Sequence, residues 1–155
     1  MYVYRVALFG HRYLSSVREL ANKLYDAAEK LIRANEFVEF YIGRNGEFDE
    51  LAASVIKRVQ SKHGKEKCAL ILVLPYAVKD IKYFEKYYDE IMLPVDPQTH
   101  FKAAIAKRNE WMADNCELVI SCVQKESGGA YRAIKHAEKR GVPVLNLGDE
   151  MHDIT

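Results

Sequence analysis

Cysteine is scarce in this chain. Cys68, Cys116 and Cys122 are the only three, and no pair has the C-x-x-C spacing of a zinc knuckle or redox motif. Cys68 and Cys122 fall inside apolar runs, where a thiol behaves as a small hydrophobe, so a disulfide framework is excluded in favour of reduced, buried thiols. Proline (4) and glycine (8) are too few for a collagen-like or low-complexity chain. Neither sign of charge prevails: 23 Lys+Arg stand against 22 Asp+Glu, a net +1 at pH 7. Phosphate affinity accumulates from Lys and Arg, so this balance argues against a grip on nucleic acid through the whole surface, and against nucleic acid as a partner. It leaves room for a local basic pocket. Apolar runs stay well short of the roughly 20 residues that cross a bilayer. The segment from Met1 to Phe9 is interrupted by Arg5 and lacks the basic start and small-residue cleavage site of a signal peptide. A soluble, cytoplasmic protein with no membrane partner is expected. His63, His100, His136 and His152 have no metal-ligand spacing, and no Ser-His-Asp arrangement can be argued, so neither a metal nor a cofactor is expected.

What is present is a regular alternation of two periodicities. With 49% hydrophobic residues over 155 positions, the chain suits one domain over 1–155 with a substantial core. Val3 to Phe9 is a β-branched and aromatic run ending at Gly10, and it reads as a buried strand. Ser15 or Ser16 can cap the following helix, with Glu19 three residues after Ser16 as in a capping box. Val17, Leu20, Ala21, Leu24, Ala28, Leu31 and Ile32 then form one helical stripe. Phe37 to Ile42 is a second strand, and a second helix follows Gly46, with Leu51, Ala52, Val55, Ile56 and Val59 inward, and stops near His63-Gly64. Cys68 to Leu74 is the most continuously apolar stretch and fits a central parallel strand covered on both faces. The segment from Lys79 to Asp89 is aromatic, charged and helical in pattern, and Glu90 to Leu93 is a short strand. Phe101 to Asn115 is helical, with Ala104, Ile105, Trp111 and Met112 inward. Leu118 to Val123 is another strand, Ala130 to Arg140 a helix stopped by Gly141, and Val142 to Leu147 a last strand. Strand–helix alternation of this kind implies an α/β, three-layer Rossmann-like domain with a mainly parallel sheet flanked by helices.

In such a sheet, ligands bind beyond the carboxyl ends of the strands, so the residues just after each strand carry the functional argument. The first strand ends in Gly10-His11-Arg12: Arg can hold a phosphate bidentately and His can donate to one, while the structural alternative has His11 capping a helix and Arg12 pairing with a surface acid. The second ends in Gly43-Arg44-Asn45-Gly46 and runs on to Asp49, which either caps its helix or serves a ribose hydroxyl or a base role. Ser127-Gly128-Gly129 leads into a helix, where glycines admit a ligand to free amides or simply make a tight turn. Arg108-Asn109 can add a cation and an amide to the same cleft, or remain on an exposed helix face. Neither G-x-G-x-x-G nor G-x-x-x-x-G-K-[ST] occurs. Tyr83, Phe84, Tyr87 and Tyr88 lie at helical spacing and suit packing on the domain or a homodimer face.

Taken together, the ordered set resembles the SLOG superfamily of Rossmann-like proteins related to Smf/DprA and to LOG, nearest its YpsA/YoqJ-like branch. The set is a strand followed by Gly10-His11-Arg12, then G-R-N-G-x-F-D-x-L-A-A from Gly43, R-N-x-W-M-x-D-x-x-x-L-V-I from Arg108, and Gly128-Gly129 before A-x-x-x-G-V-P-V from Ala137. The resemblance spans Val6 to Leu147. It implies a pocket for a nucleotide or nucleotide-derived ligand at Gly10, His11, Arg12, Gly43, Gly46, Asp49, Arg108, Asn109, Gly128 and Gly129. LOG-type enzymes carry P-G-G-x-G-T-x-x-E, whereas residues 127–133 here read S-G-G-A-Y-R-A, without that proline, G-T pair or glutamate. The first expectation is therefore binding or sensing of a nucleotide-derived small molecule. The alternative is a nucleotide N-glycoside hydrolase with Asp49 as its carboxylate and Arg12 or Arg108 on the phosphate, and the third is a single-stranded DNA-binding module.

Overall fold

The computed structural model describes residues 1–12 and 15–150, with the side chains of 149 and 150 left aside. Strands and helices alternate: β1 (Val3–Gly10), α1 (Val17–Ala34), β2 (Phe37–Ile42), α2 (Glu47–His63), β3 (Cys68–Val73), α3 (Ile81–Tyr87), β4 (Glu90–Met92), α4 (Phe101–Asp114), β5 (Leu118–Cys122), α5 (Gly129–Lys139) and β6 (Val144–Asn146), then a 3-10 turn (Leu147–Glu150). All neighbouring strands pair in parallel, in the order β4-β3-β2-β1-β5-β6. The chain winds outward from β1 to β4, then returns through α4 to place β5 on the other side of β1. Strand order therefore reverses between β1 and β5, whose ends meet at the pair Gly10–Cys122. A crevice opens at such a reversal because the flanking helices leave in opposite directions.

Alternation along the strands sorts the core into two layers. Val6, Leu8, Val38, Phe40, Ile42 and Leu70 face α1 and α2, while Ala7, Phe9, Tyr41, Ile71, Val73 and Val119 lie in the layer of Met112, Ala113, Ala133 and Ala137 from α4 and α5. The expected helical stripe of α1 is buried at Leu20, Leu24, Ala28 and Ile32, but Val17 at its start is 47% exposed. Ser16 does occupy the N-cap position, yet its side chain makes no capping hydrogen bond, so the capping box is not formed. Three elements are shorter or more exposed than their patterns suggest. The aromatic segment yields only a seven-residue α3 with no buried residue, β6 keeps three residues, and Ile105 of α4 is 37% exposed where an inward position was expected. Gly141 takes φ +79° at the end of α5, the left-handed stop that its glycine predicts.

One contact sets the height of α2 against the sheet. Phe48, fully buried in the first turn of α2, sits directly on the Cα of Gly10, where any β-carbon would overlap its ring. Gly10→Ala should therefore destabilise the fold by about 1–3 kcal/mol through overpacking, read as a lower urea midpoint with an unchanged m-value.

Candidate functional site

A cavity of about 450 Å³ lies over the crevice. Its wall is drawn from the ends of β1 and β2, the starts of α2 and α5, and the inner face of α4. Of the residues singled out in the sequence, Gly10, His11, Arg12, Gly43, Gly46, Asp49, Arg108, Asn109, Ser127, Gly128 and Gly129 all line it. Arg44 does not: it points outward, with its guanidinium 4.8 Å from the centroid of Phe84 on α3. The ring of Phe84 gives the cation a face to rest on.

Arg108 is the buried charge of the site, 4% exposed. Its Nε donates to Asn109 Oδ1 at 2.8 Å and its Nη1 to the Val73 carbonyl at 2.9 Å, the last carbonyl of β3. Among the described residues no carboxylate comes within ion-pair distance of it. Burial pulls its pKa down, and the Asp49 charge opposes that without cancelling it. An arginine stays ionised regardless, so a largely uncompensated positive charge sits in the pocket wall. Gly43 makes room for it, since a β-carbon there would stand 2.7 Å from Nη1.

Arg12 is held by its main chain: its carbonyl accepts from Glu47 N at 2.9 Å, and a β-carbon on Gly46 would lie 2.7 Å from its Cα. The backbone thereby caps the first turn of α2, and the exposed Arg12 side chain lines the cavity. Asp49 serves that same turn, as Oδ2 accepts from Asn45 N at 2.9 Å. Loss of hydration pushes its carboxyl pKa up, with the Asn45 amide and the Arg108 charge pulling the other way. His11 Nε2 accepts from Lys125 N at 3.2 Å. A nitrogen that accepts carries no proton, so the imidazole is neutral with its hydrogen on Nδ1. Burial and the nearby Lys125 charge hold its pKa below 6.5.

Across the cavity, α5 begins at Gly128 with φ +93°, and a β-carbon at Gly128 would meet nothing within 4 Å. At Gly129 the nearest atom would be Asn109 Nδ2 at 3.9 Å. At this end of the helix, Arg132 N donates to the Gly128 carbonyl at 3.1 Å. The preceding amides are free to receive an anion, with the helix dipole behind them. Sequence reasoning missed Asn45, Lys125 and Arg132, and the apolar wall of Leu8, Phe9, Ile105, Met112 and Ala130. Arg132 had a readable signal, since it lies one helical turn after Gly128-Gly129. Lys125 had none, because only the return of the β5–α5 loop over His11 brings it in. Four cations (Arg12, Arg108, Lys125, Arg132) thus surround a single carboxylate, Asp49, a local surplus of three against +1 for the chain. Among the described residues no three His, Cys, Asp or Glu side chains converge as a metal site would require.

No family model matches the chain, and no curated protein matches it by sequence. Solved structures do. DNA processing protein A (DprA) from Streptococcus pneumoniae aligns with a TM-score of 0.59 over 91% of this chain at 20% identity. The chain has the fold of DprA. DprA from Helicobacter pylori aligns with a TM-score of 0.61 at 16% identity, again over 91% of this chain, and that structure describes a single-stranded DNA binding mode. The chain spans 49% and 63% of the lengths of the two DprA chains. Both neighbours are DprA proteins of the Smf/DprA family. No helix among the described residues is long and apolar enough to cross a membrane.

His11 gives a direct check of the site's electrostatics. In a proton NMR titration its midpoint should fall below 6.5, the value of a free imidazole. The unfolded chain then takes up this proton before the folded one does. The His11 contribution to stability is complete above pH 6.5 and is lost as pH falls through the lower, folded-state midpoint. His11→Gln should lose less stability than the parent across that window in urea melts at successive pH values, and equal losses would contradict the assignment.

Proposed function

We propose that the cleft binds a phosphate-bearing nucleotide unit. The observation that carries this reading is Arg108, a buried guanidinium without a carboxylate partner among the described residues, opposite a helix start whose glycines leave open space above them. An anion placed between the two would gain charge-assisted hydrogen bonds from both sides. A phosphate alone leaves most of 450 Å³ unfilled, and the remaining wall is apolar at Leu8, Phe9, Ile105, Met112 and Ala130, which suits a base or sugar face. Asp49 supplies an acceptor for a sugar hydroxyl.

The N-glycoside hydrolase reading has less behind it. A single carboxylate, already engaged with the Asn45 amide, gives no acid–base pair, and the glutamate of the LOG-type motif has no counterpart in 127–133. Single-stranded DNA is a second reading that a specific observation favours: the DprA structure from Helicobacter pylori is described as binding it. The objection from net charge does not carry over to the cleft, where cations outnumber carboxylates four to one. The expectation against nucleic acid is accordingly withdrawn.

Calorimetric titration with thymidine monophosphate, AMP and inorganic phosphate tests the proposal. Arg132→Ala, on the exposed side of the pocket, should weaken nucleotide binding by about tenfold, the loss of one charge-assisted contact of about 1.5 kcal/mol. Arg108→Met should abolish binding while its urea stability stays within about 2 kcal/mol of the parent, because the lost Val73 bond is offset by removal of a buried charge. Nucleotide binding that survives Arg108→Met would overturn the assignment.

A further inference from the structure

The segment that the pocket does not absorb is α3 with its approach. Tyr83 is 72% exposed, Tyr87 38% and Tyr76, in the loop leading from β3, 45%. Lys79, Lys82 and Lys86 are exposed beside them, at spacings that put Lys82, Tyr83 and Lys86 on one side of the helix. A hollow runs along residues 79–84. Two further cations rest on this aromatic surface: Arg44 lies over Phe84 at 4.8 Å, and Lys57 over Tyr87 at 4.9 Å, with its ammonium donating to the Tyr87 carbonyl at 2.7 Å. Tyr83 and Phe84 meet edge to face at 5.5 Å, and Tyr87 and Tyr88 at 5.0 Å, so the outer rings are braced by inner ones.

This surface is continuous with the cleft. Arg44 sits between Gly43 and Asn45, both of which line the pocket, and Val73, whose carbonyl holds Arg108, ends the strand from which the chain runs into α3. Arg44, Lys57, Lys79, Lys82 and Lys86 lie along this face, and the stretch of chain over 79–90 also carries Asp80, Glu85, Asp89 and Glu90. Protein interfaces deplete lysine at their centres, whereas planar side chains alternating with Lys and Arg are how single strands are held, with bases on the rings and phosphates on the cations. Tyr83 and Tyr87 are four residues apart, about 6 Å along the helix axis, enough for a base plane on each.

We propose that α3 and Arg44 form the outer half of a single-stranded nucleic acid site: one nucleotide's phosphate occupies the cleft, and the strand continues past Arg44 with its next bases stacked on Tyr83 and Tyr87. This inference rests on the single-strand reading of the cleft and extends it to a surface outside the pocket.

The test is fluorescence anisotropy of the full chain with a labelled oligothymidylate, alongside calorimetry with thymidine monophosphate. Tyr83→Ala, at a largely exposed position, should weaken the oligonucleotide about tenfold while the mononucleotide binds as before. Lys82→Ala with Lys86→Ala should lower the slope of log affinity against log salt by about 1.4, roughly 0.7 for each phosphate contact removed. If Arg132→Glu weakens the oligonucleotide and the α3 variants do not, the outer half is wrong while the cleft reading stands. If the α3 variants weaken it and Arg132→Glu does not, the strand does not enter the cleft and the path proposed here fails. An oligonucleotide that does not bind at all overturns both the path and the single-strand reading, and the mononucleotide titration then judges the phosphate site alone. Competition by oligoglutamate as effective as by unlabelled strand would assign α3 to a protein partner and overturn the proposal.

Discussion

The Arg108 guanidinium links helix α4 to the ends of β2 and β3. It rises from α4, the helix that carries the chain back across the sheet, and it ties that helix to the end of β3 through the Val73 carbonyl. It fits only because position 43, at the end of β2, has no β-carbon. Bringing a guanidinium into a nearly dry wall without a counter-ion costs folding free energy that a hydrophobic side chain would not. The site keeps that cost, and a bound anion is what would relieve it. A modest stability penalty placed where a ligand can remove it is a recurrent physical signature of binding sites.

The glycines divide into two kinds by what surrounds them. Gly10, Gly43 and Gly46 are filled from the protein's own side, by Phe48, Arg108 and the Arg12 backbone. They bring the starts of elements close together and build the floor. Gly128 and Gly129 face open space, where a β-carbon would meet no atom closer than 3.9 Å. The same residue type at a strand end therefore performs two tasks, packing on one side of the crevice and admission on the other.

Charge is arranged with the same asymmetry. Away from the cleft, acids and bases neutralise one another: Glu29, on α1, accepts from Lys62 and His63 of α2 at 2.8 Å each, which brings its carboxyl pKa down to about 2. Arg5 and Glu117 pair across β1 and the start of β5 at 3.1 Å. Around the cleft the cations are left without such partners among the described residues, apart from the aromatic rings beneath Arg44. A chain that sums to +1 thus presents a positive mouth, and the sum conceals it because the compensating acids are elsewhere.

Most of the fold was written in local pattern. Apolar runs ending at Gly10, Ile42 and Leu74, and helical stripes such as Leu20, Leu24, Ala28 and Ile32, specify strands and helices because burial on one or both faces leaves a periodic trace. The rule that ligands gather at strand ends then pointed to the glycine, histidine and arginine residues that line the cavity. Sequence could not fix how Arg108 is satisfied, since its partner Val73 lies 35 residues away and their meeting depends on where α4 crosses the sheet. Nor could it separate Arg12 from Arg44, both of which follow a strand-end glycine. Backbone contact with α2 keeps one at the cavity, and the ring of Phe84 draws the other outward. Periodicity reports which residues are buried, because burial is felt by each residue in turn. Which charges share a cleft is decided only when distant strand ends are brought to one edge of the sheet.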